Sequence, residues 1–143
     1  MNYNSKQIEY ASFLRRVGAS LIDTIVLVLI TIVVSFVFGI FSYFLFGPGA
    51  SDVVGFFLGL VVGWMFYALF ESSELMATPG KLALGIQVQD EDFQRLTFGR
   101  ATGRHFAKIF SNATLGIGYL FPLWTERRQT LHDIVAKTVV IKK

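Results

Sequence analysis

Two ionisable residues at the head of one apolar helix raise the first chemical question in this sequence. In RRVGASLID (15–23), which runs directly into IVLVLITIVVSFVFGIFSYFLF after one threonine, Arg16 and Asp23 stand seven residues apart. Nearly two turns separate them, so both project from one face about 10.5 Å apart along the axis at 1.5 Å per residue. They are too far apart to pair directly. Arg16 can snorkel to the headgroup level, but a carboxylate near the centre of a membrane helix costs roughly 2.5–3.5 kcal/mol on insertion scales. Something must offset that cost at Asp23: a proton, with the pKa raised by desolvation; a monovalent cation; or a donor from another element. A bond across helices that only holds the bundle together is the architectural alternative.

Other chemistry-bearing residues are few. In FGRATGRHFAKIF (98–110), Arg100, Arg104 and Lys108 recur every four residues and form one basic stripe at helical geometry. Such a stripe fits a solvated or lipid-headgroup face, or it brings Arg104 or Lys108 to the depth of Asp23. In QTLHDIVAKT (129–138), Asp133 fits a helix-capping or arginine-pairing carboxylate, placed to meet Arg16 at the membrane surface. Glu71 and Glu74 share a helix face and either line a cation entrance or are ordinary interfacial carboxylates. His105 and His132 are the two histidines, cysteine is absent, and no serine has an activating context. The sequence therefore predicts no catalytic residue, no enzyme, no metal site and no cofactor. TPGK (78–81) lacks the first glycine and final Ser/Thr of a phosphate-binding GxxxxGK(S/T) loop and reads as a turn.

The elements that must position these groups follow from composition and pattern. Of 143 residues, 53% are hydrophobic and 16% charged, against roughly 25% charged in soluble domains, which points to lipid. From Val17 to Phe46 the only ionisable residues are Asp23 and Tyr43. About 20 apolar residues suffice to cross a hydrocarbon core, so 17–46 is predicted to span. It starts too late and runs too long for a signal h-region of roughly 7–15 residues. GPGASD (47–52) breaks the helix, and VVGFFLGLVVGWMFYALF (53–70) is a second, uncharged span forming an antiparallel hairpin with the first. In it Gly55, Gly59 and Gly63 repeat every four residues and offer a smooth packing face, for the first span or for a second copy of the chain.

Beyond Ser72 the pattern changes. LALGIQVQDEDFQRLTF (82–98) alternates as a β-hairpin turning at Asp90-Glu91-Asp92 and returning through Leu96 and Phe98, with 138–142 as a third strand. A third apolar segment, 106–124, is interrupted by Lys108, Asn112, Gly116, Gly118 and Pro122. Basic residues precede the first span (Lys6, Arg15, Arg16), follow the second, and recur after Trp124, while the loop between the spans holds only Asp52. The positive-inside rule places both termini in the cytoplasm of a multi-pass cell-membrane protein. It also favours a third segment that turns back near Gly116 to Pro122 over a full crossing. The predicted fold class is an all-α membrane protein, one domain over 1–143, with two transmembrane helices, a third re-entrant or spanning segment, and a small cytoplasmic β-hairpin or three-stranded element.

Three stretches, RRVGASLID, ATPGKLALGIQV (77–88) and RRQTLHDIVAKTVVI (127–141), together resemble the RDD family of small integral membrane proteins, named for one arginine and two aspartates. The resemblance covers nearly the whole chain in the expected order. It places the family's arginine on Arg16 and its aspartates on Asp23 and Asp133. Transport is suggested for the family and cation/proton antiport is linked to some members, so the resemblance implies a transport component for small cations or protons. In that reading Asp23 is the protonatable or cation-binding carboxylate, Arg16 and Asp133 gate or brace it, Arg100, Arg104, Lys108, Glu71 and Glu74 support it, and the glycine face is an oligomer seam. The alternative is a non-transporting membrane scaffold or accessory subunit whose Arg and Asp residues are structural. The expected partners are the lipid bilayer, a monovalent cation or proton, and a second copy or a membrane partner protein; nucleic acid is not among them.

Overall fold

The structure, a computed structural model, describes residues 8–143. Lys6, counted above among the basic residues before the first span, lies outside them. Ser12 starts the first helix, its Oγ accepting the Arg15 N–H at 3.4 Å. Helix α1 (Phe13–Phe46) therefore begins four residues before the expected span and carries Arg15 and Arg16 in its first turn. Its length, about 51 Å at 1.5 Å per residue, exceeds a hydrocarbon core. Gly47, at φ 83°, ends it, and α2 (Ala50–Ser72) returns alongside. Among the described residues these are the two helices long and apolar enough to cross a membrane. Their outward faces expose Ile32, Phe36, Phe56 and Leu60, an apolar surface far too continuous for water and natural for lipid.

The two spans meet through small side chains. Gly59 faces Thr31 of α1, whereas Gly55 and Gly63 face open space. The glycine repeat is thus only partly a contact with the first span: Gly59 and Gly63 instead border an open groove of about 390 Å³ beside Thr24, Thr31 and Ser35.

Two expectations for the downstream half need correction. TPGK is not an open turn: Thr78 takes the N-cap position of α3 (Pro79–Ala83), with proline at the first helical position, where its missing N–H costs nothing. The β-hairpin does not form either. Strand β1 (Ile86–Asp90) ends where Asp90 Oδ1 accepts the N–H groups of Asp92 and Gln94. Thr97 then caps α4 (Phe98–Ala113), accepting the Arg100 N–H at 3.2 Å. A capped helix that buries Ala101, Arg104 and Ala107 takes Phe98 out of any strand, and Leu96 packs into the core.

Strand β1 pairs instead with β2 (Thr138–Lys142), antiparallel, with Val88 opposite Val140. The third participant in the sheet is Tyr10, bridged to Ile141, not residues 96–98. The third apolar segment turns back where its glycines and proline lie, and does not form one long crossing helix. After α4, Gly116 at φ 82° and 3₁₀ turns at Ile117–Tyr119 and Phe121–Leu123 reverse the chain, bringing Gly118 against Ser111 of α4. Helix α5 (Leu131–Ala136) then packs on α4 and leads into β2.

The core under this cap is built largely from small residues, Ala11, Ala19, Ala68 and Ala101, with Ile86, Val88, Leu96 and Val140. Close approach is the rule there, and Gly80 is its tightest point. A Cβ at Gly80 would lie 2.1 Å from the Ala19 carbonyl oxygen and 2.8 Å from Asp23 Oδ1. Gly80→Ala is expected to cost more than about 3 kcal/mol, read as a collapsed thermal midpoint in detergent or loss of accumulation. Gly55→Ala, which meets nothing within 4 Å, should match the wild type in the same assay.

Candidate functional site

Asp23 is 1% exposed, and neither Arg16 nor the basic stripe bonds to it. The Thr78 hydroxyl donates to its Oδ2 at 2.5 Å and the Gly80 N–H to its Oδ1 at 2.7 Å. Thr78 is the N-cap of α3, and Gly80 lies in its first turn, where helix N–H groups have no partner of their own. The absent side chain at Gly80 lets the two backbones close on each other. Of the options open to Asp23, the structure has a donor from another element, supplied by α3 and not by α4.

Arg16 finds its carboxylate on the far side of the cap. Its Nη1 donates to Asp133 Oδ2 at 2.6 Å and its Nη2 to the Arg128 carbonyl at 2.6 Å. Asp133 is fully buried. Its Oδ1 accepts Arg104 Nε at 2.9 Å and Nη2 at 2.7 Å, and its Oδ2 also accepts the Thr130 N–H at 3.1 Å. One carboxylate thus caps α5 and joins two arginines. Arg104 Nη1 continues to Glu71 at 2.6 and 2.8 Å, and Glu71 accepts Lys81 Nζ at 2.5 Å. The series Arg16, Asp133, Arg104, Glu71, Lys81 ties together α1, α5, α4, α2 and α3.

The electrostatics follow from burial and pairing. Burial alone would raise the Asp133 carboxyl, but Arg104 and then Arg16 override it and hold it well below the usual carboxylate range. Burial works against the charge of Arg104, while Glu71 and Asp133 together raise its pKa. Lys81 is lowered by burial against the opposing pull of Glu71.

The basic stripe divides three ways. Arg100 stays on the surface, paired with Asp90 at 3.0 Å; Arg104 is buried in the network; Lys108 is half-buried, 3.4 Å from the centroid of the Tyr67 ring. Burial pushes Lys108 down to about 7, with Glu71 opposing. Glu71 and Glu74 also separate: Glu71 is buried between two cations and Glu74 is exposed, so they do not form an open pair at an entrance. His132 bridges Ser111 Oγ at 3.1 Å and Thr130 Oγ1 at 2.9 Å, and burial holds its pKa at about 3. Thr78, Gly80 and Lys81 are the site residues that sequence reasoning missed. The signal was a threonine N-cap before proline and glycine, which marks a helix start as well as a turn.

A cavity of about 440 Å³ adjoins the network, with Arg16, Asp23, Arg104 and Lys108 on its polar wall and Phe13, Val17 and Leu21 on its apolar one.

Two lipid-facing helices, capped at one end by elements whose buried charges are matched one against another, define a small helical membrane protein. The chain belongs to the RDD family, whose model matches residues 10–137 and so includes Arg16, Asp23 and Asp133. It is 36% identical over 84 residues to the uncharacterized protein YxaI of Bacillus subtilis (strain 168), a match covering 59% of this chain and 55% of that one. It is 31% identical over 87 residues to the proline-rich antigen homolog of Mycobacterium tuberculosis, covering 57% and 36%. The matched region spans about half or less of the length of these curated relatives. No solved structure matches.

Two outcomes follow from this geometry. Asp133→Asn leaves Arg16 and Arg104 without their shared negative charge, and should cost about 3–5 kcal/mol of unfolding free energy in detergent. The second is acid sensitivity. His132 has a folded-state pKa of about 3, below its ordinary 6.5, so the unfolded chain takes up protons first. Its contribution is complete above pH 6.5 and is lost as pH falls towards 3. The thermal midpoint should fall across pH 6.5 to 4, at up to about 1.4 kcal/mol per pH unit from His132; a flat profile contradicts it.

Proposed function

We propose that this chain is a membrane scaffold or accessory subunit in which Arg16, Asp23 and Asp133 are architectural, clamping a polar cap onto the ends of two spans. One observation carries the reading: all three direct their hydrogen bonds to other parts of the same chain. A transport carboxylate must exchange its ligand in every cycle, whereas both oxygens of Asp23 are already bonded, by Thr78 and Gly80. The cap faces the cytoplasm in this reading, because Arg95, Arg100, Arg127, Arg128 and Lys137 belong to it while the loop between the spans carries only Asp52.

A second reading retains transport of small cations or protons by a homo-oligomer or with a membrane partner. The cavity that reaches Asp23 and Lys108 favours it. Purified protein in sealed vesicles, with a pH-sensitive dye and a series of monovalent cations, separates the two. The scaffold reading expects no flux from the wild type, and a loss of about 1–3 kcal/mol in stability for Asp23→Asn. Cation-dependent flux that disappears in a fully folded Asp23→Asn protein would overturn it in favour of transport.

A further inference from the structure

We propose that the cavity beside Arg16 and Lys108 binds the phosphate headgroup of an anionic membrane lipid. This goes beyond the scaffold reading and does not depend on it.

Charge at this cavity favours an anion. Four cations, Arg16, Lys81, Arg104 and Lys108, stand around three carboxylates, Asp23, Glu71 and Asp133. Each carboxylate already has its donors, and the cation left over is Lys108, which makes no ion pair among the described residues. Residues 1–7, MNYNSKQ, contain no carboxylate to supply one. The Lys108 ammonium rests on the face of the Tyr67 ring. A second donor is also unused: Arg16 Nε is buried without a hydrogen-bond partner among the described residues, a costly arrangement. An anion gives Lys108 the counter-charge it lacks beside Arg16, whereas a cation meets a group in which the basic side chains outnumber the carboxylates.

Shape and depth select the form of the anion. The cavity lies against α1 where Val17 and Leu21 are 39% and 63% exposed, the side that meets lipid. Ser20 and Thr24 stand at its mouth with their hydroxyls turned to their own helix carbonyls, leaving oxygen lone pairs but no extra charge. A lipid can rest its acyl chain along Val17 and Leu21 while its phosphate reaches Lys108 and Arg16, at the head of the span where headgroups lie. A free phosphate would leave the apolar wall unused. The volume, about 440 Å³, falls within the range of small-molecule sites.

Native mass spectrometry of the full chain, released from micelles containing equal amounts of phosphatidylglycerol and phosphatidylcholine with identical chains, tests this directly. Phosphatidylglycerol should be retained preferentially and should raise the thermal midpoint more than phosphatidylcholine does. Lys108→Gln should reduce that preference about tenfold while changing the lipid-free midpoint little, since it loses the Tyr67 contact but no ion pair. Ser20→Asp, which sets a carboxylate at the mouth, should reduce it as well and decides the matter if Lys108→Gln fails to fold. Equal retention of the two lipids, or an unchanged preference in the folded variants, overturns the proposal. Equal stabilisation by glycerol phosphate overturns the lipid source and assigns the cavity to a soluble phosphate ester.

Discussion

A carboxylate shut away from water between two guanidinium groups is the constraint on which this structure depends. Asp133 cannot lose either arginine without leaving an uncompensated charge in a dry site, and such a charge costs several kcal/mol. The core beneath the cap consists mainly of alanines and small aliphatic residues, so apolar burial alone positions these elements weakly. Charge matching does what bulky packing does elsewhere: each of five helices contributes one group to the series from Arg16 to Lys81. Removing any one helix from its place strands an ion.

Asp23 supplies a second, independent fixing point. It lies seven residues beyond Arg16 on the same helix, so α1 is gripped at two levels, by α5 and the turn before it through Arg16 and by α3 through Asp23. Two grips about 10 Å apart along one axis prevent the cap from pivoting on the span as well as from leaving it. The two grips differ in kind: one is ionic and tolerates no loss of charge, while the other is a short hydrogen-bonded contact that tolerates no extra atom at Gly80. Their spacing explains why an arginine and an aspartate that never touch occur on the same helix face.

The spans were legible because more than twenty residues with one acidic group admit few alternatives. The Arg16 to Asp133 contact was legible for a related reason: both charges had to find partners at one interface. The hairpin was misread because LALGIQV does alternate, but the alternation stops at Asp90, and the helix cap at Thr97 competes with any returning strand. Spacing by four could not reveal that Arg100 faces out and Arg104 in. Only the small neighbours Ala101 and Ala107 marked the inward face. The partners of Asp23 were the least legible of all, since a hydroxyl and a peptide N–H leave no charge in the sequence to match against.

Buried ion pairs, coupled to one another, hold the cap to the spans. A double-mutant cycle on Glu71 and Arg104 tests it most directly, using Glu71→Gln, Arg104→Met and the pair together, with unfolding free energy measured in detergent. A coupling of about 2–3 kcal/mol is expected, because each single change leaves the other member of the pair short of its opposite charge and the double change does not, while the loss at Lys81 is common to Glu71→Gln and the double and cancels. Additivity within about 0.5 kcal/mol would contradict it and leave apolar packing as what fixes the cap.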